Sequence, residues 1–352
     1  MFFQYLKDLK KNNMRLFFFH ILFYFLLQSA YAQNYSVQIL HDSVNTSLRG
    51  LSVVNDSVIW VSGSNGYIGK STNAGISWNF RQIHPYDSAE FRDIEAFDEN
   101  IAIVMSSVQP ACILKTIDGG ITWNEVFRDD RPEVFLDAID FYEEKGVCLG
   151  DPMNGWFFLL STSDSGDTWS EIKTPGKISL NQKLAAFAAS GSVIKLVNTN
   201  SIYFATGGEG AYIFYSEDDG LNWEMMPVDI AHGNESSGIF SFDINTDKNV
   251  IAGGGDYLQP KEILNSISYL KNFTNIGKPV NNPIGYISCV KFWNKSKIIS
   301  CGTNGIAITE LSDDISVLVS RESFNVIGIS ATGSAVYLAG GNGRVVKLIG
   351  DQ

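Results

Sequence analysis

Cysteine and histidine are scarce in this chain, and the spacing of the cysteines excludes several common cofactor sites. The 352 residues contain four histidines and four cysteines: Cys112, Cys148, Cys289 and Cys301. The cysteines form no C-x-x-C or C-x-x-C-H motif, so we expect neither covalently bound haem nor a zinc ribbon. Each lies in an apolar, strand-like run, which favours small buried residues over disulfide bonds. If a bridge exists, Cys289–Cys301 on two neighbouring strands is the candidate.

Basic residues and long apolar runs are also few. Lys and Arg number 26 against 38 Asp and Glu, which gives a net charge of −12. Such a surface disfavours nucleic acid, because neutralising phosphates requires clustered basic side chains. The apolar run at residues 16–27 falls short of the about 20 residues needed to span a bilayer, and no later run reaches that length. We therefore expect a mature protein that binds no nucleic acid, does not span a membrane and is a monomer.

The N-terminal segment has the three parts of a secretory signal peptide. Residues 1–15 carry four basic side chains and one acidic one, the apolar run follows, and small residues at Ala30 and Ala32 precede Gln33. This order predicts cleavage between Ala32 and Gln33 and a secreted or periplasmic protein. We expect residues 1–32 to be removed and residues 33–352 to form a single domain, with 22 basic and 37 acidic side chains and a net charge of −15. Met14 is an alternative start.

A repeated signature indicates the architecture. Four segments fit the pattern S/T-x-D-x-G-x-T-W, with their tryptophans 45, 46 and 54 residues apart: STNAGISWNF (71–80), KTIDGGITWNEV (115–126), STSDSGDTWSEI (161–172) and YSEDDGLNWEMM (215–226). The aligned acidic, glycine and tryptophan positions are Asn73, Gly75 and Trp78; Asp118, Gly120 and Trp123; Asp164, Gly166 and Trp169; Asp218, Gly220 and Trp223. A period of this length is typical of repeat architectures.

We interpret each signature as a turn between two strands, with a structural rather than a catalytic role. The Asp or Asn side chain would accept hydrogen bonds from backbone N–H groups of the turn, and the glycine would supply a positive φ. The tryptophan would begin the next strand and pack against a neighbouring unit. The recurrence of the same residues in every unit favours this interpretation.

Three strand-like runs precede each signature and complete a four-stranded unit. The first strands of units one to four are LSVVN, FRDIEAF, FLDAIDF and AAFAASG. Three further units without a clear signature follow at 238–276, 286–311 and 324–350; the last lacks a fourth strand, whereas YSVQIL (35–40) is a spare strand. The sequence therefore predicts an all-β fold: a seven-bladed β-propeller of four-stranded blades whose last blade is closed by the N-terminal strand.

The chain resembles a known group of propellers. The signatures are similar to Asp-box (BNR) repeats, and the longer strings FRDIEAF (91–97), RDDRPEVFLDAIDF (128–141) and AHGNESSGIFS (231–241) resemble photosystem II stability/assembly factor-like propellers. The nearest resemblance is to a bacterial subgroup often labelled glycosyl hydrolase or oxidoreductase. The resemblance implies a seven-bladed, secreted or lumenal propeller. It implies no activity, because sialidases, sorting receptors and assembly factors share the repeat.

The repeat also divides the loops between two faces. We call the face with the signature turns the turn face. The loop face is the opposite one, formed by the loops between second and third strands and by the loops that lead into each first strand. The predicted partner-binding residues of the loop face are Arg49, Arg92, Arg128, Arg131, His232, Asn234, Asp256 and Tyr257. The arginines could clamp a carboxylate, or Arg128 and Arg131 could form inter-blade salt bridges.

No pattern indicates a catalytic residue. No G-x-G-x-x-G opens a helix, and His232 and Ser236 share one loop without a third group to orient them. A sialidase would need three arginines, a Tyr–Glu pair and an Asp acid, and the characteristic F/Y-R-I-P string is missing. We therefore expect a non-catalytic scaffold without cofactor or metal that binds a protein or another extracytoplasmic ligand. The alternative is a sialidase-like glycoside hydrolase or a glycan-binding propeller.

Overall fold

The computed structural model describes residues 35–172, 183–273 and 278–350. The blades lie in the compact unit Val37–Leu348, except for the terminal strand residues Ser36 and Ile349. The predicted signal peptide lies outside the described residues. Within the described residues, no helix is long and apolar enough to cross a membrane.

Blades 1 to 4 each contain four antiparallel strands in the order of the chain. Blade 1 contains β2 (Leu48–Val53), β3 (Ile59–Gly63), β4 (Tyr67–Ser71) and β5 (Asn79–Gln82). Blade 2 contains β6 (Phe91–Ala96), β7 (Ala102–Ser106), β8 (Ala111–Thr116) and β9 (Asn124–Asp129). Blade 3 contains β10 (Leu136–Tyr142), β11 (Lys145–Met153), β12 (Trp156–Thr162) and β13 (Ser170–Glu171). Blade 4 contains β15 (Ile194–Leu196), β16 (Ile202–Ala205), β18 (Tyr212–Ser216) and β19 (Glu224–Pro227).

Blades 5 to 7 complete the ring, and the predicted closure by the N-terminal strand is confirmed. Blade 5 contains β20 (Asn234–Ile244), β21 (Val250–Asp256), β22 (Ile267–Leu270) and β23 (Lys278–Pro279), and the short strands β14 (Leu184–Ala185) and β17 (Gly207–Gly208) extend its sheet. Blade 6 contains β24 (Cys289–Phe292), β25 (Lys297–Gly302), β26 (Gly305–Glu310) and β27 (Ile315–Ser320). Blade 7 contains β28 (Val326–Ile329), β29 (Val336–Ala339), β30 (Val345–Ile349) and, from the N-terminal side, β1 (Ser36–His41).

Burial within a blade follows the position of each strand. The second strands IWVSG of β3 and AIVMS of β7 are buried at every residue, because neighbouring blades cover both faces of the sheet. The outermost strand β5, NFRQ, is mostly exposed and correspondingly polar. The apolar clusters accordingly lie between adjacent blades: Trp60 of blade 1 packs with Phe91 and Leu114 of blade 2, for example. The core is thus divided into layers between blades.

The innermost strands are joined by hydrogen bonds from one blade to the next. A side chain of one first strand accepts a hydrogen bond from a backbone N–H of the following first strand. The pairs are Ala96 N to Ser52 Oγ (3.1 Å), Ile139 N to Asp93 Oδ2 (2.9 Å), Leu196 N to Asp140 Oδ2 (2.6 Å) and Phe292 N to Asp243 Oδ2 (3.0 Å). These bonds satisfy backbone groups at the inner edge of each sheet, where no further strand can pair with them.

One predicted strand is wrong. The run AAFAASG (185–191) was expected to be the first strand of blade 4, but that strand is β15, which begins at Ile194. The small residues of the run AAFAASG instead cross the inside of the ring of blades. The four cysteines are buried thiols in the described structure, and Cys289 and Cys301 are register partners on β24 and β25.

Candidate functional site

The four signature turns share one hydrogen-bonded geometry on the turn face. In the second turn, the Thr116 hydroxyl donates to Asp118 (2.9 Å) and accepts from Gly120 N (3.0 Å). Asp118 in turn accepts hydrogen bonds from the backbone N–H and the hydroxyl of Thr122. These bonds lower the pKa of Asp118 to about 2, so the carboxylate is ionised over the physiological range. Gly120 has a φ of +83°, which explains the fixed glycine of the pattern.

Lysine side chains connect some of these turns to the preceding blade. Lys70 of blade 1 donates to the carbonyl of Gly119 in the turn of blade 2 (2.8 Å). Lys115 of blade 2 donates to the carbonyl of Ser165 (2.8 Å) and pairs with Asp167 (2.7 Å) in the turn of blade 3. The turn face is therefore occupied by contacts that hold adjacent blades together.

On the loop face, Arg49 and Arg92 point inward. Arg49 Nη1 donates to the carbonyl of Ala189 (3.1 Å), and Arg92 Nη1 donates to that of Ala188 (3.2 Å). Burial, followed by repulsion from Arg92, lowers the pKa of Arg49. Arg92 also lies 3.2 Å from Glu90. Both guanidinium groups thus bind the chain's own backbone.

The segment that they hold, residues 186–191, crosses the central channel, and we call it the channel segment. Ser190 Oγ donates to the carbonyl of Ser288 in blade 6 (2.8 Å), and Phe187 stacks on Phe240 of blade 5 with ring centroids 3.9 Å apart. Gly191 has a φ of +69°, and a Cβ there would overlap the Asp93 carboxylate of blade 2. Contacts with blades 1, 2, 5 and 6 place the segment across the mouth of the channel on the loop face.

Two aspartates of blade 3 border the channel segment in different ways. Asp151 Oδ1 accepts a hydrogen bond from Ala186 N (3.1 Å). Asp137 is fully buried and lies beside the backbone N–H of Ala188 in the channel segment. Burial raises the pKa of Asp137 well above its usual range, with a further contribution from Asp151 and opposing ones from Arg92 and the Ala188 N–H. Burial therefore disfavours the ionised form of this carboxyl.

Arg128 and Arg131 lie on the loop face and pair within their own blade. Arg128 binds Asp130 (2.8 Å) and Glu125 (3.3 Å), and Arg131 binds Asp129 (2.6 Å). Both arginine side chains are more than two-fifths exposed. Arg128 and Arg131 therefore form ion pairs within blade 2, and not the inter-blade salt bridges that the sequence left as an alternative.

Arg131 also reaches blade 3 through a ring contact. Its guanidinium lies over the Phe158 ring, 5.5 Å from the centroid. It borders an open groove of about 220 Å³ whose walls include Trp156, Phe158 and Glu171. An exposed cation, an aromatic wall and a carboxylate therefore meet at one place on the loop face.

The other four predicted residues lie together in blade 5. Asn234 Nδ2 donates to Asp256 Oδ2 (3.4 Å), and Tyr257 follows Asp256 directly with half of its side chain exposed. His232 Nδ1 lies 2.7 Å from the carbonyl oxygen of Ile230. The predicted residues thus form two groups at the surface, one at blades 2 and 3 and one at blade 5, whereas Arg49 and Arg92 bind the channel segment.

The sequence interpretation missed a cluster of interacting charges on the innermost strands. The aligned position of the first strands is occupied, from blade 1 to blade 7, by Ser52, Glu95, Asp140, Lys195, Asp243, Lys291 and Gly328, and the five charged residues interact with one another. Asp140, followed by Asp243, raises the pKa of Lys195, whose Nζ lies 3.8 Å from Asp243. The sequence pattern that could have revealed these charges is a polar residue that follows the apolar centre of most first strands. Among the described residues, no group of His, Cys, Asp or Glu is arranged to hold a metal ion.

Comparison with known proteins agrees with this architecture. The family profile described as photosynthesis system II assembly factor YCF48 matches residues 108–226. The solved structure of YCF48 bound to a D1 peptide superposes with a TM-score of 0.64 at 13% identity, covering 90% of this chain and 96% of that one. The resemblance to the photosystem II assembly-factor propellers is confirmed.

Two further solved structures share the fold. YCF48 from Cyanidioschyzon merolae superposes with a TM-score of 0.64 at 13% identity, covering 89% of this chain and 98% of that one. The Pan2 WD40 domain of Neurospora crassa superposes with a TM-score of 0.60 at 14% identity, covering 87% and 89%. No curated protein sequence matches the chain. The breadth of these likenesses extends the agreement in fold to propellers outside the assembly factors.

Proposed function

We propose that the chain is a secreted, non-catalytic propeller that binds a polypeptide on its loop face and acts as an assembly scaffold. The observation that carries the proposal is the channel segment. Because residues 186–191 cross the mouth of the channel, held by Arg49 and Arg92, the loop face offers a broad surface for a macromolecule. The solved YCF48 structure with a bound D1 peptide supports a polypeptide as partner.

The exposed arginines of blade 2 give this surface charged contacts. Their pairing with Asp129, Asp130 and Glu125 is local and open to solvent, and such pairs contribute only about 0–1 kcal/mol to stability. A carboxylate of a partner can therefore replace these acids at little cost. A hydrogen bond to a charged group in a desolvated interface contributes about 1.5–3 kcal/mol.

The proposal is tested by capture of polypeptides from native extracts of the source cells. The mature chain is immobilised beside the double variant Arg128→Ala with Arg131→Ala and a control, Arg81→Ala, which removes an exposed arginine from the outer strand of blade 1. The double variant should retain about tenfold less partner with a nearly unchanged melting curve, and the control should behave as wild type. Capture that survives the double substitution, or turnover of a fluorogenic glycoside by pure protein, would contradict the proposal.

A further inference from the structure

An exposed apolar loop of blade 5 has no role in the contacts described so far. Residues 257–264 join β21 to β22 on the loop face, and we call them the blade-5 loop. Four of their side chains are apolar and largely exposed: Tyr257 (48%), Leu258 (71%), Ile263 (56%) and Leu264 (70%). Scattered exposed apolar residues are common, but four within eight residues form a patch of the kind that marks an interaction site.

The blade-5 loop is held in place by the elements around it. Tyr257 N donates to the carbonyl of Ser236 (3.2 Å), which fixes the start of the loop to β20. The carbonyl of Pro260 accepts hydrogen bonds from Tyr286 N and from the Asn304 side chain, both in blade 6. The Tyr257 ring also meets Phe240 edge-on, with centroids 6.0 Å apart. The apolar side chains are therefore presented at the surface by a loop whose backbone is held in place.

Acidic side chains outnumber basic ones in this loop and beside it. Glu262 and Lys261 lie within the loop, Asp256 directly precedes it, and Glu235 precedes Ser236, whose carbonyl binds Tyr257 N. Although burial opposes the shift, hydrogen bonds from Ser236, Leu258 N, Asn234 and Gln259 keep the pKa of Asp256 below its usual range. This excess of negative charge repels an anionic lipid surface and attracts a cation.

From this combination we infer that the blade-5 loop is the docking site for a basic, apolar segment of a polypeptide partner. Leucine-like side chains of the segment pack on Leu258 and Leu264, and its lysines or arginines face the nearby carboxylates. The inference rests on the proposed scaffold function and gives it a second contact point, distinct from the arginines of blade 2. It assigns to blade 5 a partner chemistry opposite to the carboxylate that Arg128 and Arg131 would bind.

The test measures binding of a short, labelled peptide of leucine and lysine to the mature chain by fluorescence anisotropy. The test variant is Leu258→Ser with Leu264→Ser, which removes apolar surface and leaves every charge in place. The matched control is Ile121→Ser with Leu221→Ser, since these side chains are 66% and 55% exposed on the turn face. We expect about tenfold weaker binding by the test variant and unchanged binding by the control. A peptide with glutamate in place of lysine should not bind.

Four outcomes would overturn the inference: equal binding by the test variant, equal binding of the glutamate peptide, flotation of the protein with phosphatidylcholine vesicles, or self-association that the two serines abolish. The last two would assign the patch to a membrane or to a second copy of the chain. If extract capture succeeds while the test variant binds the leucine–lysine peptide normally, the scaffold function stands and the blade-5 site fails. If the peptide result holds but wild type captures nothing from extracts, the scaffold function fails instead.

Discussion

Buried aspartates of the innermost strands differ in how the fold satisfies them. Asp93 accepts hydrogen bonds from Ile94 N (2.8 Å) and Ile139 N (2.9 Å), yet burial still raises its pKa to about 7. Asp137 lies against the Ala188 N–H of the channel segment, and burial raises its pKa well above the usual range. A buried polar group without partners is costly, and a buried charge costs more. Burial in the fold therefore disfavours the ionised form of Asp137.

This difference predicts how stability depends on pH. The pKa of Asp137 is higher in the folded protein than the about 3.9 of an unfolded chain, so its contribution is fully present below that pH and is lost as pH rises toward the folded pKa. Asp137→Asn removes this dependence. In urea melts, the free energy of unfolding of the variant relative to wild type should be more favourable at about pH 8 than at about pH 4.

The exposed, uncharged substitution Ile121→Ser serves as the control and should show the same difference from wild type at both pH values. A free-energy difference for Asp137→Asn that does not change with pH would show that the Asp137 carboxyl is already ionised in the folded protein.

At the scale of elements, the signature turns depend on one carboxylate and one ring. Asp118→Ala removes several turn hydrogen bonds and should cost about 1–2 kcal/mol, by analogy with the loss of a helix cap. Trp123 packs edge-on against Trp60 of blade 1, but it is only half-buried. Trp123→Ala should therefore cost near the lower end of about 3–5 kcal/mol. Denaturant melts measure both, and the exposed Ile121→Ser should change stability by less than about 0.5 kcal/mol. Wild-type stability of Asp118→Ala would refute a structural role for the turn.

The channel segment yields a second prediction for an element. Replacing Arg49 and Arg92 by methionine keeps their length and removes the donors to Ala188 and Ala189. The amides of residues 186–191 should then exchange with deuterium more rapidly, because each lost bond to a charged donor contributes about 1.5–3 kcal/mol to holding the segment. Exchange measured by mass spectrometry should be unaffected by Arg81→Met. Equal protection in both variants would show that the arginines do not hold the segment.

Repeated local chemistry could be predicted from the sequence, and contacts across the ring could not. The signature at Asp118, Gly120 and Trp123 acts through bonds within a few residues, so its recurrence revealed the blades. The inward orientation of Arg49 and Arg92 depends on Ala188 and Ala189, about 100 to 140 residues away in the chain. The repeat period carries no information about such distant contacts. One numerical signal was present: the spacing of 54 between Trp169 and Trp223, against 45 and 46 elsewhere, leaves room for the channel segment.

At the scale of the whole molecule, the ring closes where β1 pairs with β30. A chain that begins at residue 42 lacks β1 and exposes the edge of β30, a template for association with other chains. We expect this chain to aggregate or to melt at a lower temperature than the mature chain, which begins at Gln33 and retains β1. Size-exclusion chromatography and thermal melts compare the two. Equal melting of both chains would show that closure contributes nothing to stability.

The predicted signal peptide has its own measurement. Cleavage after Ala32 would release a chain that begins at Gln33 and retains Ser36–His41 for ring closure. The intact mass of the exported protein should correspond to residues 33–352. A mature chain that still carries the apolar run 16–27 would refute the predicted cleavage and, with it, the proposed localisation.

The pairing of β1 with β30 also fixes the order in which the strands can pair during synthesis. About 300 residues separate the two strands, and ribosomes add about 5–20 residues each second, so β1 waits about 15–60 s before its partner exists. Blades 1 to 6 can form during that interval from strands that follow one another closely in the chain. The last step pairs β1, the first strand to be synthesised, with β30, the last strand to be synthesised. Until then blade 7 is incomplete in every molecule. During this interval the unpaired β1 strand of a newly synthesised chain is most able to associate with other chains.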